Sequence, residues 1–509
     1  MVSSCVPSVP AVLKRIAPVL NPVLFAAFPL LSLFAQNQSE LELSVLWWPL
    51  ALCTAAAVAL YGVFLLITRD GAKASALASL GVLAFFYFGP IADKVGLGDG
   101  WSFVLWVALL TAGVVAILRT RRNLVSLAVI LGAGAAVLAL PQVATIAIYR
   151  ANHPSLSASD PRLWPTGLQK PVPSSAASRP DIYVLIPDDY ARTDVLKRYF
   201  HYDNSPFIRE LKQRGFVISE QSRSPYADSE SNIAAALNMD YLSAFPRVLG
   251  KSSEDVRPVK RVMEDNRASR LLKSLGYRYV HLDTDDVTFA GGNPGISSLG
   301  PPDGFPNLWM RRSVLRLVGG PLGFDQSATD ERFRDAIGSV FSTLGAVPAQ
   351  PSPKFVVFHT LLPHDPYIFG ARGQRVTFPG HTDESLATAT GRRYYLRQLE
   401  LTSRKLLEAV DRIFARSKTP PVVVIQADEG FQANPEPFGE AAMNDIRVKG
   451  LSAFYLPGRG RAGVPQPPNT VNSLRFVMNR YLGARYPMLR SASYPEGDLP
   501  YDFKEMRVR

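Results

Sequence analysis

Beyond Cys53 the chain contains no cysteine, and Cys5 is its only other one. The C-terminal two-thirds therefore hold no disulfide and no thiolate zinc site. Oxidising compartments allow disulfides without requiring them, so an extracytoplasmic location stays open. Charge is sparse too, at 19% against 47% hydrophobic residues, which points to a membrane protein carrying a soluble part. The net charge is +12, yet Lys and Arg are scattered. No basic run with interleaved aromatics occurs, so no nucleic-acid partner is expected. No internal repeat appears, and no low-complexity tract lies outside one Pro- and Ser-rich stretch.

Long apolar runs dominate the N-terminal third: 16–34, 45–68, 74–91, 101–118 and 124–149. Each is near the ~20 residues needed to cross the hydrocarbon core. Lys14 and Arg15 ahead of the first run are signal-peptide-like. Its end lacks the small residue three positions before a cleavage site, and four runs follow, so it is read as a span. One side of these spans carries Lys14, Arg15, Arg69, Lys73, Arg119, Arg121 and Arg122, the other only Lys94. That asymmetry predicts a cytoplasmic N-terminus. Five spans then deliver everything after Arg150 to the outside. Trp47, Trp48 and Trp101 sit at span ends as interfacial anchors. No span has a charge at its centre, so no ion pathway is indicated.

The domain reading is 1–150 transmembrane, 151–179 a Pro-, Ser- and Ala-rich linker, and 180–509 a soluble domain. In the last, residues 182–187, 355–358, 422–425 and 451–456 read as buried strands. Ser205 as N-cap, Pro206 and Gly215 bracket one helix. Leu396, Leu399, Leu406, Val410 and Ile413 mark the apolar face of a longer one, and Val471, Leu474, Met478 and Leu482 that of a last helix stopped by Gly483. Alternating strands and helices predict an α/β fold with a mainly parallel sheet.

Three of these strands end in chemistry. They lead into Asp188-Asp189, into His359 with His364, and into Asp428-Glu429-Gly430. Strand ends of a parallel sheet share one edge, where ligands bind. An adjacent acidic pair there is costly unless a cation or protons neutralise it. A solvated turn explains one such pair; two pairs and histidines suggest a metal site. Carboxylates favour Mg, Mn or Ca, and added imidazole widens this to Mn or Zn. Near Ser224, polar residues run straight into a helical pattern. A hydroxyl at that helix N-terminus is either a cap or a group facing an oxyanion or phosphate. As a nucleophile it needs a base or metal. Asp228, Ser229 and Ser231 are not separable on this ground.

Taken in order, these motifs resemble the sulfatase-like membrane hydrolases and transferases of the alkaline phosphatase superfamily. The nearest likeness is to five-span bacterial enzymes of the lipoteichoic acid synthase and phosphoethanolamine transferase type. Residues 181–192 are similar to the first metal-ligand strand, with Asp188 in the ligand position. Residues 222–229 and 237–242 resemble the nucleophile segment, Ser229 falling where threonine is usual. His359 to His364 resembles the substrate-histidine motif, and Gln426 to Gly430 the second ligand motif, commonly Asp-His-Gly. Residues 449–458 and 472–475 are similar to the closing segments, so the likeness covers about 180–485.

The resemblance implies a five-helix transmembrane domain plus an alkaline-phosphatase/sulfatase-like extracytoplasmic α/β domain. It implies a multi-pass protein of the bacterial inner membrane, its C-terminal domain periplasmic or extracellular. Catalysis would rest on Ser229 and His364. Asp188, Ser229, Asp428 and Glu429 would hold a divalent metal, Mn or Mg, with Zn or Ca as alternatives. His359, His364 and Arg192 would bind substrate. The implied activity moves a phosphoglycerol or phosphoethanolamine group, or hydrolyses it, with a phospholipid donor and a glycan or lipid acceptor. Glu429 in place of histidine makes the ligand set all-oxygen. It also raises an alternative, a catalytically silent receptor or scaffold of the same fold. Sulfatase activity is disfavoured, because Arg223 stands two residues before Pro225, where the formylglycine motif needs Cys or Ser.

Overall fold

The computed structural model describes residues 11–165, 167–171, 179–226, 228–284, 296–298, 305–319, 326–380, 383–434, 436, 438–458, 469–495, 497 and 499–506. Cys5, Ala227 and residues 166 and 172–178 of the expected linker lie outside them. The chain divides into two compact units, Met1–Pro154 with Pro302–Thr329, and Ser155–Pro301 with Asp330–Arg509.

The first unit contains α1 (Ala11–Gln36), α2 (Ser44–Thr68), α3 (Gly71–Val95), α4 (Gly98–Arg119) and α5 (Val125–Asn152). All five are long and apolar enough to cross a membrane. One helix forms on each predicted run. Asp70 caps α3 by accepting from the Ala72 and Lys73 amides. Helix α1 packs against α2, α3 and α5. Its buried Asn21 donates to the Ala128 carbonyl at 2.7 Å and to Ser75 Oγ at 3.2 Å. Helices α2 and α4 leave large apolar residues exposed, among them Leu66, Ile67, Val104 and Leu109. Such faces suit lipid rather than water.

Residues 305–319 pack with these helices, although the sequence reading places them in the soluble domain. Helix Phe305–Arg312 buries Phe305 and Trp309 in the cluster of Leu30, Phe34 and Phe86. Arg316 pairs with Asp93 at 2.8 Å and Asp99 at 3.1 Å. The segment is too short to read as a span, and its partners are distant in sequence.

The second unit is built on a seven-stranded sheet: β1 (Ile182–Asp188), β2 (Val217–Ile218), β3 (Arg278–Asp283), β4 (Ile296–Ser298), β5 (Lys354–Pro363), β6 (Val422–Gln426) and β7 (Ser452–Tyr455), in the order β2-β7-β6-β1-β5-β3-β4. Every pairing is parallel except β2 with β7 and β6 with β7. The sheet is thus mainly parallel, as expected, with an antiparallel edge. Strand side chains alternate between faces. Tyr183, Leu185, Phe358 and Ile425 pack with Leu399, Leu406, Val410 and Ile413 of helix Ala389–Arg416. On the other face Ile182, Val184, Ile186, Val357 and Val424 pack with Ile233 and Leu237 of helix Ser229–Asn238 and with Val471 and Leu474 of helix Thr470–Leu482. At the strand starts, Lys354 Nζ meets Asp181 Oδ2 at 2.5 Å in a buried pair beside the Ile182–Phe355 register.

Three expectations are adjusted. Strands β2, β3 and β4 have no counterpart in the sequence reading. Leu156, Ala158, Leu163 and Trp164, within the expected linker, are buried in the core of this unit. Asn204, not Ser205, occupies the N-cap position of helix Ser205–Gln213.

Candidate metal and nucleophile site

The sheet register assembles the site. Ile186 of β1 pairs with His359 of β5, and Leu282 of β3 pairs with Phe358. Period-two alternation then puts His359 and Asp283 on the face that helix Ser229–Asn238 covers, and Asp188, just past a register shift after Pro187, joins them there, 3.4 Å from Ser229 Oγ. Asp428 follows two residues after the end of β6, on the other side of β1. Ligand atoms of Asp188, His359 and Asp428 all lie within 4.8 Å of one another, and those of Asp188, Asp189 and His364 form a second such group. His359 Nε2 is 3.6 Å from Asp188 Oδ2, and His364 Nε2 is 3.9 Å from Asp189 Oδ2.

Ser229 is the first residue of its helix. The N-cap is Asp228, whose carboxylate accepts from the Ser231 amide at 2.7 Å. Capping therefore falls to Asp228, which separates two residues the sequence leaves together. Ser229 Oγ lies 3.4 Å from Asp188 Oδ1 and 3.5 Å from Glu429 Oε1, at the long end of hydrogen bonding. At the far end of the helix, Asn238 Nδ2 donates to the Val262 carbonyl at 2.8 Å, and buried Arg475 donates from Nε to the Met239 carbonyl at 2.5 Å. Both helix ends are thus anchored.

Two backbone features shape the acidic strand ends. Asp189 has φ 57, the left-handed region that Asp tolerates better than most residues. Its carbonyl accepts from Tyr395 Oη at 2.8 Å, and that hydroxyl in turn accepts from the Ala191 amide at 3.1 Å. Gly430 donates to the Arg447 carbonyl at 2.5 Å, and a Cβ there would stand 2.8 Å from the Lys449 carbonyl and closer still to that of Ile446. Gly430→Ala is therefore expected to destabilise the second unit by about 1–3 kcal/mol or more, since backbone must shift. A urea midpoint equal to wild type would contradict this.

Burial sets the electrostatics. It pushes Asp428 up to about 7, with the Asp188 charge adding to the rise. Burial, reinforced by the neighbouring carboxylates, also holds Glu429 and Asp189 well above the ordinary range. For Asp188, burial opposes the charge, but His364 and His359 outweigh it and keep the carboxyl low. Burial likewise opposes charge on His359 and His364. Asp283 and Asp188 outweigh it at the first, Asp189 and Asp188 at the second, so both are raised.

A cation fits this donor set. Asp189 Oδ1, Asp428 Oδ2 and Glu429 Oε2 are buried with no hydrogen-bond partner among the described residues. Buried carboxylate oxygens in that condition demand a positive charge or protons. Beside the expected oxygen donors, the His359 imidazole lies in the group with Asp188 and Asp428. His359, expected to face substrate, is fully buried; His364 is 29% exposed, with Nε2 beside Asp189. Arg192 is not brought to the cluster. Its guanidinium is bound to Asp194 at 2.6 Å and to the Ser222 carbonyl at 2.6 Å. Asp283 is the member the sequence reading lacks. It accepts or shares the His359 Nδ1 proton at 3.0 Å. The alternation Tyr279-Val280-His281-Leu282-Asp283 was its one available signal.

No protein-family model matches the chain, and no curated protein matches it. Solved structures similar to it include the zinc complex of the C-terminal periplasmic domain of EcEptC from Escherichia coli, at 12% identity over 63% of this chain and 87% of that one, TM-score 0.42. Another is the integral membrane lipooligosaccharide phosphoethanolamine transferase A from Neisseria meningitidis, at 11% identity over 86% and 88%, TM-score 0.36. A third is a protein of the alkaline phosphatase superfamily from Vibrio parahaemolyticus, at 16% over 69% and 81%, TM-score 0.39. They fall in the group that the sequence motifs resemble. At such distances they carry nothing about chemistry, which rests on this chain's own residues.

Proposed function

We propose that the chain is a membrane-anchored, metal-dependent phosphoryl-group transferase or hydrolase acting on cell-envelope lipids or glycans. The observation that carries the reading is Ser229 Oγ, at the start of a helix and 3.4–3.5 Å from buried carboxylates of two different strand ends. The five apolar helices support a lipid donor, and the Lys/Arg bias supports a second unit outside the cytoplasm. Asp188, Asp428, Glu429 and His359 would hold the metal, with Mn or Zn suiting a mixed carboxylate–imidazole set. When bound, it supplies Lewis acidity and lowers the cost of an ionised serine.

The chain's residues do the rest. The Ser229 hydroxyl gives its proton to the carboxylate cluster, Asp188 Oδ1 being 3.4 Å away. Oγ bonds to the donor phosphorus as the diacylglycerol oxygen leaves. His364, part-exposed and protonated beside Asp189, gives that oxygen a proton. An acceptor hydroxyl, or water, then returns a proton to His364 and displaces Ser229 Oγ from phosphorus, and Oγ takes back the proton held by the carboxylate cluster. Backbone N–H groups at the helix start favour the phosphate anion throughout.

The test uses the detergent-solubilised full chain with phosphatidylethanolamine or phosphatidylglycerol and Mn or Zn. Intact-protein and peptide mass spectra should show the donor headgroup phosphate on Ser229. Turnover with no adduct on the 222–237 peptide in rapid-quench samples would sink the covalent reading.

A further inference from the structure

His359 reaches the carboxylate cluster only if its ring is held correctly. Its Nδ1 lies 3.0 Å from Asp283 Oδ1, while Nε2, on the opposite side of the ring, lies 3.6 Å from Asp188 Oδ2. Both His359 and Asp283 side chains are fully buried. Their spacing is set by the parallel β3–β5 ladder, through the Leu282–Phe358 pair one residue back, and not by a loop. The other Asp283 oxygen is flanked by His281 Nε2 at 3.9 Å.

We propose that Asp283 is a positioning residue that accepts a hydrogen bond from His359 Nδ1–H, holds the proton on that nitrogen, and so presents Nε2, as a lone pair, to the metal group formed with Asp188 and Asp428. This rests on the metal reading above and deepens it. A neutral imidazole carries one N–H, and a carboxylate at Nδ1 fixes that proton there. Nε2 is then the only ring nitrogen able to ligate. Metal-bound histidines commonly donate their second N–H to a carboxylate, which orients the ring and raises its basicity. The arrangement also replaces what the acidic strand end has lost. Glu429 brings an oxygen where an imidazole is usual in the resembled enzymes, and β5 returns an imidazole from the other side of β1.

The test is metal titration of the chelator-stripped full chain in detergent, by calorimetry with Mn and Zn and by visible absorption with Co. Wild type should bind, and Co should show bands of a site with nitrogen ligation. Asp283→Asn keeps size and hydrogen bonding but loses the charge that holds the tautomer. It should weaken affinity about 10–100-fold and alter the Co spectrum. His359→Gln should weaken binding at least as much, and Asp283→Asn should add nothing in that background, since both act through one nitrogen. Should Asp283→Asn be too unstable to titrate, Asp283→Glu moves the carboxylate by one methylene, and an altered Co spectrum is again required. Wild type that binds no metal removes the metal reading itself. Wild type that binds while the Asp283 variants match it in affinity and spectrum overturns this proposal alone, as does full additivity with His359→Gln.

Discussion

Ser229→Ala should lower turnover by more than about 10³-fold, the scale on which loss of a covalent nucleophile acts. Stability should shift by less than about 1 kcal/mol, the range of substitutions outside core, cap and network positions. The two outcomes separate because Asp228, one residue earlier, is the cap. Asp228→Ala removes the acceptor of the Ser231 amide and should lower stability by about 0.5–2 kcal/mol. Were Ser229 the cap, that pattern would invert. Ser229→Thr keeps a hydroxyl at the first helical position and should retain measurable turnover. The checks are a steady-state transfer assay and a thermal melt on the same preparations. Normal turnover in Ser229→Ala would move the nucleophile elsewhere, with Ser231 next in line.

What could be read beforehand follows the range of the interaction concerned. The β-branched run Val422 to Ile425, followed at once by Asp428 and Glu429, is a local signal, and it marks both a buried strand and a strand-end site. The same holds for β1 and its two aspartates. Asp283 is different. Its role exists only because β3 lies beside β5, a pairing across more than seventy residues that no local pattern reports. The two histidines show the same limit within a motif. Strand β5 runs through to Pro363, so His359 sits inside the ladder beside Asp188 and Asp428, whereas His364 lies past its end, part-exposed, beside Asp189. Five residues of spacing cannot say which does which. Phe305 and Trp309 belong with the membrane helices for a tertiary reason, a shared aromatic cluster with Phe34 and Phe86. For Arg192 the position in the motif is a local signal, and the structure adds that Asp194, two residues on, accepts from its guanidinium.

Without metal, the chain should lose stability as pH rises from about 5 to 8, and metal should restore most at the alkaline end. Asp428 has a folded pKa raised to about 7 against an ordinary 3.8. The folded state therefore holds more protons than the unfolded state between those values, and stability falls as pH rises through that window. The raised carboxyls of Glu429 and Asp189 carry the same sign. His359 and His364, also raised, hold protons that the unfolded chain gives up above its ordinary value near 6.5, so they again lose stability with rising pH. Asp188 is lowered, and its contribution is already complete above about pH 4, so it is constant across the range. The Asp428 shift alone corresponds to roughly 4 kcal/mol, at 1.36 kcal/mol per pKa unit. Melts of the EDTA-treated full chain should therefore fall by at least about 5 °C between pH 5.5 and pH 8. Added Mn or Zn should raise the melting temperature far more at pH 8, where the carboxylates are ionised and no proton competes. Asp428→Asn removes one of the three raised carboxyls, and should lessen the apo pH dependence while abolishing most of the metal response. An apo chain that grows more stable towards pH 8, with no metal response there, would mean that these buried carboxylates are neutralised by neither protons nor a cation.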